Sequence, residues 1–373
     1  MKKYINQSDM KQANDADVFL LVRRHGMLTR KEIESRTGFS WGAVSSIVSR
    51  LMEQRYIKEV KCEQSGGAGR IPTALTVDTE AHFVLGMDIN LSGFKAVVLN
   101  LAGSVTDSIF YRPKADEKDG FFEEILNFSR RAVSLAEGKH LLGVGIAMQG
   151  TVDAEKGISH TLPHVKGWHD VPLAQMLAKE LTLPVFIAHD PDCILHAASE
   201  GTGVDTTMLL RVDRGIGMAL MVDGEILEGK GMLELGHVIA VPDGLPCRCG
   251  KRGCLESYAS ISGLERRSGL SLDALACRAR QGDEEAAALF SEMGRHLALA
   301  VSHVAQLFCV KELLLCGAIW DHRALFYPLF EECLKKCYDQ KMRVTQISVE
   351  NAAKGAAMLA LEKALTRMNE ENK

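Results

Sequence analysis

Three of the chain's ten cysteines, Cys247, Cys249 and Cys254, lie within the eight-residue stretch CRCGKRGC, and His237 precedes them by ten residues. Three thiolates and one imidazole are the soft ligand set that a tetrahedral structural Zn²⁺ prefers. The glycines of this stretch allow the tight loop that brings the sulfurs within about 2.3 Å of one ion. The pattern offers no fifth ligand and predicts one structural zinc per chain. The alternative is a disulfide, for which the Cys-x-Cys spacing is geometrically poor.

The start of the chain, MKKYINQSDMKQ, has no apolar segment behind its lysines, which argues against a secretory signal. No apolar run approaches the roughly 20 residues needed to span a bilayer. We therefore expect a cytoplasmic protein, in a compartment that keeps thiols reduced. The other seven cysteines are scattered, mostly in apolar surroundings, and we interpret them as small buried hydrophobic residues.

A helix-turn-helix is predicted near the start of the chain. The apolar stretch VFLLV indicates a first helix that ends near Gly26, and Thr29 with Glu32 forms a capping box for a second helix that stops at Gly38. Ser40 then caps a third helix, SWGAVSSIVSRLMEQ. Two short helices joined by a Gly-containing turn are typical of a helix-turn-helix. One face of the third helix carries apolar residues at helical spacing, namely Val44, Ile47, Val48 and Leu51.

The segments YIKEVKC and TALTVD are predicted to form short strands around the turn-rich stretch SGGAGRIP. A hairpin directly after the recognition helix would make this a winged helix-turn-helix, with a domain boundary near residue 80. Residues 1–75 hold 13 Lys and Arg against 8 Asp and Glu, whereas the rest of the chain holds 31 against 40. A basic head on an acidic body favours a polyanionic partner for the head.

The face of the third helix opposite the apolar stripe is predicted to contact double-stranded DNA, because small and hydroxyl side chains let a helix approach base edges closely. An arginine in the narrow stretch GRIP is suited to the minor groove of A·T-rich DNA. The alternatives are a small helical adaptor whose serines face solvent and, for the arginine, an ordinary surface position. The residues predicted to bind DNA are Ser40, Trp41, Gly42, Ser45, Ser46, Ser49, Arg50 and Arg70.

From His82 onward the pattern changes to alternating strands and helices, which predicts an α/β fold. Two segments have the amphipathic pattern of long helices, GFFEEILNFSRRAVSLAE and AAKGAAMLALEKALTRM. The segments predicted to form strands are FVLGMDI, FKAVVLNL, LLGVGIAM, PVFIAHD, TMLLRV, GMALMVDGEIL and ELLLCG.

The motif ELGH, followed after nine residues by CRCGKRGCLE, resembles the signature of the ROK family of repressors, open reading frames and sugar kinases. The stretch RKEIESRTGFSWGAVSSIVSRLMEQRYI is similar to the winged-helix head of the family's sugar-operon repressors. AGRIP resembles their GGRxP linker, with Ala68 in place of Gly, and GVGIAMQGTVD resembles GxGxPGxVD, with Gln149 in place of Pro. The resemblance implies a two-lobed, actin-like α/β domain with the ligand in the cleft between lobes. The expected domains are 1–80 for the head, 81–190 with 355–373 for lobe 1, and 191–354 for lobe 2.

The resemblance also implies that ROK kinases bind ATP through Gly-rich loops, because only bare backbone approaches phosphate closely enough to donate N–H groups. Where those kinases have DxGGT, this chain reads DINLS from Asp88 to Ser92. Where they have GTGxG, it reads DRGIG and begins with the anionic Asp213, and their later GG pair is Cys316-Gly317. These departures predict that the chain does not bind ATP and is not an enzyme.

The residues implied to line the sugar cleft are better preserved than the phosphate loops. By resemblance, Glu234, His237 and Glu256 would contact sugar hydroxyls, and Asp190 occupies the position of the kinase general base. His189, which replaces the family's Asn before that aspartate, is predicted to bind the ligand together with Asp190, and Met232-Leu233 replace the small residues before Glu234. The alternative for each acidic residue is a solvated surface carboxylate.

These features lead to the hypothesis of a sequence-specific DNA-binding regulator that represses carbohydrate genes and responds to a sugar or sugar derivative. By resemblance it is a homodimer or a dimer of dimers on its operator. One alternative is a ROK sugar kinase, which the altered phosphate loops oppose. Another is a regulator that responds to a protein partner or to no ligand, which the substitution at His189 leaves open.

Overall fold

The computed structural model describes residues 7–61, 73–163, 165–200, 202–227 and 233–365. The chain divides into two compact units, one of Met1–Cys193 with Ala352–Lys373 and the other of Ile194–Asn351. The second unit begins and ends within three residues of the predicted lobe 2. The first unit contains both the predicted head and the predicted lobe 1, so the boundary at residue 80 stays a prediction.

The head contains the predicted succession of helices followed by an antiparallel hairpin. The capping box of the second helix is confirmed, since the Thr29 hydroxyl accepts from the backbone N–H of Glu32 and the Glu32 carboxylate accepts from the backbone N–H of Thr29. The apolar stripe of the third helix is also confirmed, because its four members are buried. The helices are α1 (Gln7–His25), α2 (Arg30–Thr37) and α3 (Trp41–Glu53), and the strands are β1 (Ile57–Lys61) and β2 (Thr73–Val77).

Helix α1 begins earlier than the apolar stretch VFLLV indicated. The segment from Gln7 to His25 contains neither Gly nor Pro, so nothing interrupts the helix toward its amino end. Gly26, at a φ of 75°, ends it in the left-handed conformation that glycine adopts at least cost. Strand β2 is also bonded to the residue that follows α1, because the Thr76 hydroxyl donates to the Gly26 carbonyl at 2.8 Å.

The rest of the first unit is built on a five-stranded sheet with the order β10-β6-β3-β4-β5. Strands β3, β6 and β10 run parallel, and β4 and β5 are antiparallel extensions. The strands are β3 (His82–Asn90), β4 (Gly93–Asn100), β5 (Val105–Tyr111), β6 (His140–Met148) and β10 (Val185–His189). A smaller antiparallel sheet contains β7 (Val152–Asp153), β8 (Ile158–Thr161) and β9 (His169–Val171).

Helices cover both faces of the large sheet of this unit. Helices α4 (Lys118–Ser134) and α5 (Leu173–Leu181) share one apolar core with the inward residues of β3, β4 and β6. Helix α12 (Ala352–Leu365) lies against β3 and β6 at glycines. A Cβ on Gly86 would lie 1.9 Å from the Ala353 carbonyl oxygen, and one on Gly145 would lie 1.8 Å from that of Ala356. Any larger residue at these positions would therefore displace α12 from the sheet.

The second unit also has a five-stranded sheet, with the order β13-β12-β11-β14-β15. Its strands are β11 (Thr207–Val212), β12 (Ile216–Val222), β13 (Glu225–Ile226), β14 (Glu312–Cys316) and β15 (Arg343–Gln346). Its helices are α7 (Leu255–Ala259), α8 (Ile261–Ser268), α9 (Leu272–Arg280), α10 (Glu284–Phe308) and α11 (Tyr327–Cys337), and α6 (Asp190–Ser199) leads into the unit from the first one. The described 3₁₀ helices of this unit are Leu235–His237, Ala318–Leu325 and Val349–Asn351.

Six of the seven predicted strand segments are confirmed as single strands, and the seventh, GMALMVDGEIL, forms the antiparallel strands β12 and β13. Both predicted long helices and the mixed α/β class are confirmed. Strand β5, the short strands β7 to β9 and β15, helices α5 and α6, and the helices of the second unit, including the 25-residue α10, were not predicted. In the described parts of the chain, no helix combines the length and apolar character that crossing a membrane requires.

Candidate metal centre, ligand residues and recognition helix

The four predicted metal ligands come together in the second unit. The 3₁₀ turn Leu235–His237 places His237, and Cys254 immediately precedes α7. The four candidate ligand atoms all lie within 4.8 Å of one another. His237 Nδ1 is 3.7 Å from Cys247 Sγ, and Cys249 Sγ is 3.6 Å from Cys254 Sγ. Tetrahedral zinc at ordinary bond lengths separates two sulfurs by about 3.8 Å and a sulfur from a nitrogen by about 3.6 Å. The donor set and its spacing therefore fit a tetrahedral metal such as zinc.

The loop that carries the cysteines is held by its own backbone. The Cys247 N–H donates to the Lys251 carbonyl at 2.9 Å, and the Gly253 N–H donates to the Leu245 carbonyl at 2.8 Å. Gly253 has a φ of 79°, and a Cβ there would lie 1.7 Å from the Val241 carbonyl oxygen. The loop therefore requires glycine at this position, as the sequence indicated.

Without a cation, the thiols of this cluster do not all ionise near neutral pH. Burial, together with the neighbouring thiols of Cys249 and Cys247, raises the pKa of Cys254 to about 12. For Cys249, burial opposes ionisation, but the Lys251 backbone N–H and the neighbouring thiols outweigh it and lower the pKa. Thiolates are the species that bind a metal, and a divalent cation supplies the charge that holds them ionised.

Two of the predicted ligand-binding carboxylates lie near this cluster. With His237 Nδ1 directed toward Cys247, its other ring nitrogen, Nε2, lies 4.0 Å from Glu234 Oε2. A metal-bound imidazole commonly directs its second ring nitrogen to a carboxylate or a ligand. Glu256, in the first turn of α7, accepts from the backbone N–H of Ile216 at 3.3 Å. The cluster and the two carboxylates are therefore parts of one local structure of the second unit.

The other predicted ligand-binding residues belong to the first unit, where β10 ends and α6 begins. His189 Nε2 lies 3.5 Å from Asp190 Oδ1, and the two side chains are 11% and 5% exposed. Asp190 is therefore a buried carboxylate rather than a solvated one. Met232 and Arg70 lie outside the described residues. The ligand-binding assignments stay predictions.

The residues predicted to bind DNA occupy the start and one face of α3. The Ser40 hydroxyl caps the helix by accepting from the Ala43 N–H at 3.4 Å, and the Trp41 side chain is 53% exposed. Ser45 is half-buried, and its carbonyl accepts from the Ser49 hydroxyl at 2.9 Å. Gly42, Ser46 and Ser49 are exposed. The helix thus presents the predicted small and hydroxyl residues to solvent.

Arg50 has a second set of partners that the sequence did not indicate. Its Nε donates to Asp15 Oδ2 at 3.0 Å, and a second N–H of the guanidinium pairs with the same carboxylate. A third donates to the Ser46 hydroxyl at 2.7 Å. Asp15 is buried in α1, so the pair joins α1 to α3.

A sequence profile of the ROK family matches residues 84–363, three quarters of the chain. The chain belongs to the ROK family. Among curated ROK relatives, it is 23% identical to the DNA-binding transcriptional repressor Mlc of Escherichia coli, over 94% of this chain and 93% of Mlc. It is 24% identical to the dual regulator NagC of the same organism, over 95% of this chain and 94% of NagC. It is also 23% identical to the xylose repressor of Bacillus subtilis, over 90% of each chain.

Two solved ROK structures differ in how much of this chain they match. A ROK family transcriptional regulator described as a homologue of Mlc matches 96% of this chain and 98% of its own, with a TM-score of 0.84 and 23% identity. A ROK glucokinase from Streptomyces griseus matches 75% of this chain and 99% of its own, with a TM-score of 0.62 and 22% identity. Both likenesses establish the fold.

The first phosphate loop of this ROK chain is a tight β-hairpin turn. Asn90 and Gly93 are paired across it, so only Leu91 and Ser92 connect β3 to β4. The Asn90 side chain accepts from the Ser92 backbone N–H at 2.9 Å and donates to Asp88 Oδ1 at 3.1 Å. The Ser92 backbone N–H of this loop is therefore bonded within the chain and is not free to bind a phosphate.

The second phosphate loop of this ROK chain is closed in the same way. The Asp213 N–H donates to the Gly215 carbonyl at 2.9 Å, and the Arg214 N–H donates to Asp213 Oδ1 at 2.9 Å. The Ile216 N–H is occupied by Glu256, as described above. The loop thus places a carboxylate and occupied donors where a nucleotide phosphate would need free N–H groups.

Proposed function

We propose that this chain is a sequence-specific DNA-binding transcriptional regulator that represses carbohydrate genes in response to a sugar or sugar derivative. The observation that carries the proposal is the helix-turn-helix with an exposed, small-residue face on α3. The curated relatives named above match this chain over nearly its full length, head included. The glucokinase matches three quarters of it. The DNA partner makes the cytoplasm its place of action.

In this proposal, α3 enters the major groove of double-stranded DNA. Ser45 and Ser46 read base edges, and Ser40, Trp41, Gly42 and Ser49 contact DNA around them. Arg50 is half-buried and bonded to Asp15, so its main contribution is to hold Ser46 and the helix in place. Arg70 contacts the minor groove beside the site and adds affinity without choosing bases in the major groove.

The metal in this proposal is a structural Zn²⁺, one per chain, bound by His237, Cys247, Cys249 and Cys254. Its role is to join the cysteine loop to the 3₁₀ turn and to the start of α7. The bound His237 would keep Nε2 directed toward Glu234, which fixes one polar edge of the effector site. All four positions are used by protein ligands, so no position is open for catalysis.

The effector is a sugar or sugar derivative that binds Glu234, His237 and Glu256 together with His189 and Asp190. Carboxylates and imidazoles are suited to the many hydroxyl groups of such a ligand, and the burial of Asp190 strengthens the hydrogen bonds that it accepts. Asp190 would act as a hydrogen-bond acceptor rather than a base, because the phosphate loops are closed.

A thermal-shift screen of the purified protein against sugars and sugar phosphates tests the effector. A ligand present at about 100 times its Kd stabilises the protein by about 2.7 kcal/mol and raises its melting temperature. An Asp190→Asn variant should lose the shift if the ligand binds at this residue. No shift with any member of a broad panel would favour a regulator that answers to a protein partner or to no ligand.

We further propose that the protein binds DNA as a homodimer or a dimer of dimers, because one head offers few contacts for operator-level affinity. Mass photometry with and without DNA tests this. An even number of chains per duplex is expected, and stable, specific binding of one chain would contradict it.

Selection from a pool of random duplexes tests the DNA-binding function itself. The wild-type protein should enrich a sequence with two related half-sites about one helical turn apart. A Ser45→Glu variant is the control, because a carboxylate on the same helix face repels phosphates. Recovery of the starting pool by the wild-type protein would refute the proposed function.

A further inference from the structure

The carboxyl end of α3 is bonded directly to the first residue of β3. His82 Nε2 lies 2.7 Å from the carbonyl oxygen of Gln54, the residue that follows α3. Carbonyl groups at a helix end lack partners within the helix and need a donor from elsewhere. His82 therefore supplies the recognition helix with a capping hydrogen bond from the sheet of the first unit.

A second histidine fixes the state of the first. His140 is the first residue of β6 and the strand partner of His82, and the two Nδ1 atoms are 2.8 Å apart. Since the Gln54 carbonyl can only accept, Nε2 of His82 carries a proton. Nδ1 of a neutral His82 then accepts, and Nδ1 of His140 donates. If both rings are protonated, two N–H groups face each other and this hydrogen bond is lost.

Aromatic contacts continue from His82 into the core of the head. The Tyr56 ring stacks on His82 with a centroid separation of 4.7 Å, and Phe19 of α1 meets Tyr56 edge to face at 5.8 Å. Tyr56 is buried, so His82 is in contact with the packed interior of the head rather than with a surface loop. Helix α1 also contacts α12, which lies on the same sheet.

Charged groups of the head and of the sheet lie around the pair. Asp78 accepts from Arg55 at 3.2 Å and lies 4.0 Å from Lys58, so its charge is shared with two cations of the head. On the sheet side, Lys139 precedes His140 and is paired with Asp107. Asp78 favours a protonated His82, whereas His140 and Arg55 oppose it.

Burial is the main cause that lowers the pKa of His82, and the hydrogen bond to Gln54 and the charge of Asp78 only partly oppose this. A histidine in the released, solvated state has a pKa of about 6.5. His82 that is bonded to Gln54 therefore takes up a proton less readily than His82 that is released into solvent. It follows that the contact is strongest above about pH 6.5 and weakens as the pH falls below that value.

Strands β3 and β6 connect this contact to the other end of the sheet. His82 and Asn90 are the two ends of β3, and His140 and Met148 are the two ends of β6. The carboxyl ends of these parallel strands lead into the first altered phosphate loop and into the QGTVD segment. A shift of β3 relative to β6 would therefore change the distance between His82 and His140.

We propose that His82 and His140 form a proton-sensitive clamp that holds the carboxyl end of the recognition helix α3 on the sheet of the first unit. In the neutral clamp, His82 caps Gln54 and the head is held in one position. Protonation of both rings keeps the Nε2 donor of His82 but breaks the hydrogen bond between the rings and places two positive charges side by side. This repulsion displaces His82 and releases the end of α3, and loss of the His82 donor has the same effect. The consequence for operator binding rests on the proposed function.

Hydrogen–deuterium exchange on the full chain tests the clamp directly. The readout is exchange of the backbone amides of residues 51–57 at about pH 5 and about pH 8, corrected for the intrinsic pH dependence of exchange. One lost hydrogen bond of about 1 kcal/mol corresponds to about fivefold faster exchange, which is the expected wild-type difference between the two pH values.

Three variants separate the clamp from other causes. His82→Gln keeps a donor for Gln54 and cannot titrate, so its exchange should not change with pH. His82→Phe keeps the ring on Tyr56 but lacks the donor, so its exchange should be fast at both pH values. His303→Gln removes an exposed histidine of α10 and should behave like the wild type. Equal wild-type protection at both pH values, or pH dependence that persists in His82→Gln, would overturn the clamp.

Binding to a duplex enriched by the wild-type protein tests the consequence. In the wild type, affinity for the duplex should fall as the pH is lowered, by about the same factor as the protection of the amides from exchange. In His82→Gln, affinity should not change with pH. Protection that follows pH while affinity does not would overturn the link to DNA binding. Failure to enrich any duplex would contradict the proposed function, and the exchange result would still decide the clamp.

Discussion

Replacing Arg50 separates a positioning role from a DNA contact, because the structure shows what its guanidinium bonds to. Asp15 is 6% exposed and Arg50 is 24% exposed, so Arg50→Met leaves a carboxylate buried in α1 without its cation. Removing one member of a buried ion pair costs about 3–5 kcal/mol. Water reaches the partly exposed Arg50, so we expect the low end of this range or slightly less, about 2–3 kcal/mol.

Exchange of the α3 amides measures this cost locally, in the full chain. A loss of 2–3 kcal/mol corresponds to about 30- to 150-fold faster exchange of these amides. The double variant Asp15→Leu with Arg50→Met removes both charges and should lose less than Arg50→Met alone. Arg24→Met is the control, because Arg24 is exposed on the same helix as Asp15, and its effect should stay within about 0.5 kcal/mol.

Operator affinity of Arg50→Met then decides between the two roles. If the arginine positions α3, the loss of affinity should follow the loss of protection, and the double variant should recover part of both. Reduced affinity with unchanged α3 exchange would show that Arg50 contacts DNA directly, and the positioning argument would be refuted.

Three further results are expected. Elemental analysis should find about one zinc per chain in the wild type and almost none in Cys249→Ser. This variant should also melt at a lower temperature, because metal-binding energy is folding energy. A zinc-free wild-type protein would contradict the metal assignment. Coupled assays with ATP and a panel of hexoses should show no turnover above a heat-inactivated sample, because Ser92 in the first phosphate loop and Asp213, Arg214 and Ile216 in the second already donate their N–H groups within the chain. Hexose-dependent turnover would contradict this. Arg70→Ala should weaken DNA binding and reduce the dependence of log affinity on log salt concentration by about one phosphate contact, while base preferences in the major groove stay unchanged. An unchanged affinity and salt dependence would make Arg70 an ordinary surface residue.

Features set by neighbouring residues could be predicted from the sequence. The capping box at Thr29, the buried stripe of α3 and the strand segments depend on spacing along a few residues, and all are confirmed. The metal cluster could also be predicted from the sequence, because Cys247, Cys249 and Cys254 are close in sequence and only His237 is more distant.

Contacts between distant residues could not be predicted in this way. Asp15 and Arg50 are 35 residues apart, and neither residue type indicates the other as its partner. His82 and His140 are 58 residues apart and meet only because β3 and β6 are adjacent parallel strands. The closure of the first phosphate loop by Asn90 depends on a two-residue hairpin turn, which the loss of both glycines did not by itself indicate.

Discrimination between two duplexes tests the central claim most directly. The wild-type protein is titrated with the duplex that it enriched and with a scrambled duplex of the same composition, at one fixed salt concentration. A sequence-specific regulator should bind the enriched duplex at least about 10³-fold more tightly, and Ser45→Glu should lose most of that ratio while keeping the wild-type melting temperature. Equal affinity of the wild-type protein for the two duplexes would contradict the claim that this chain reads DNA sequence.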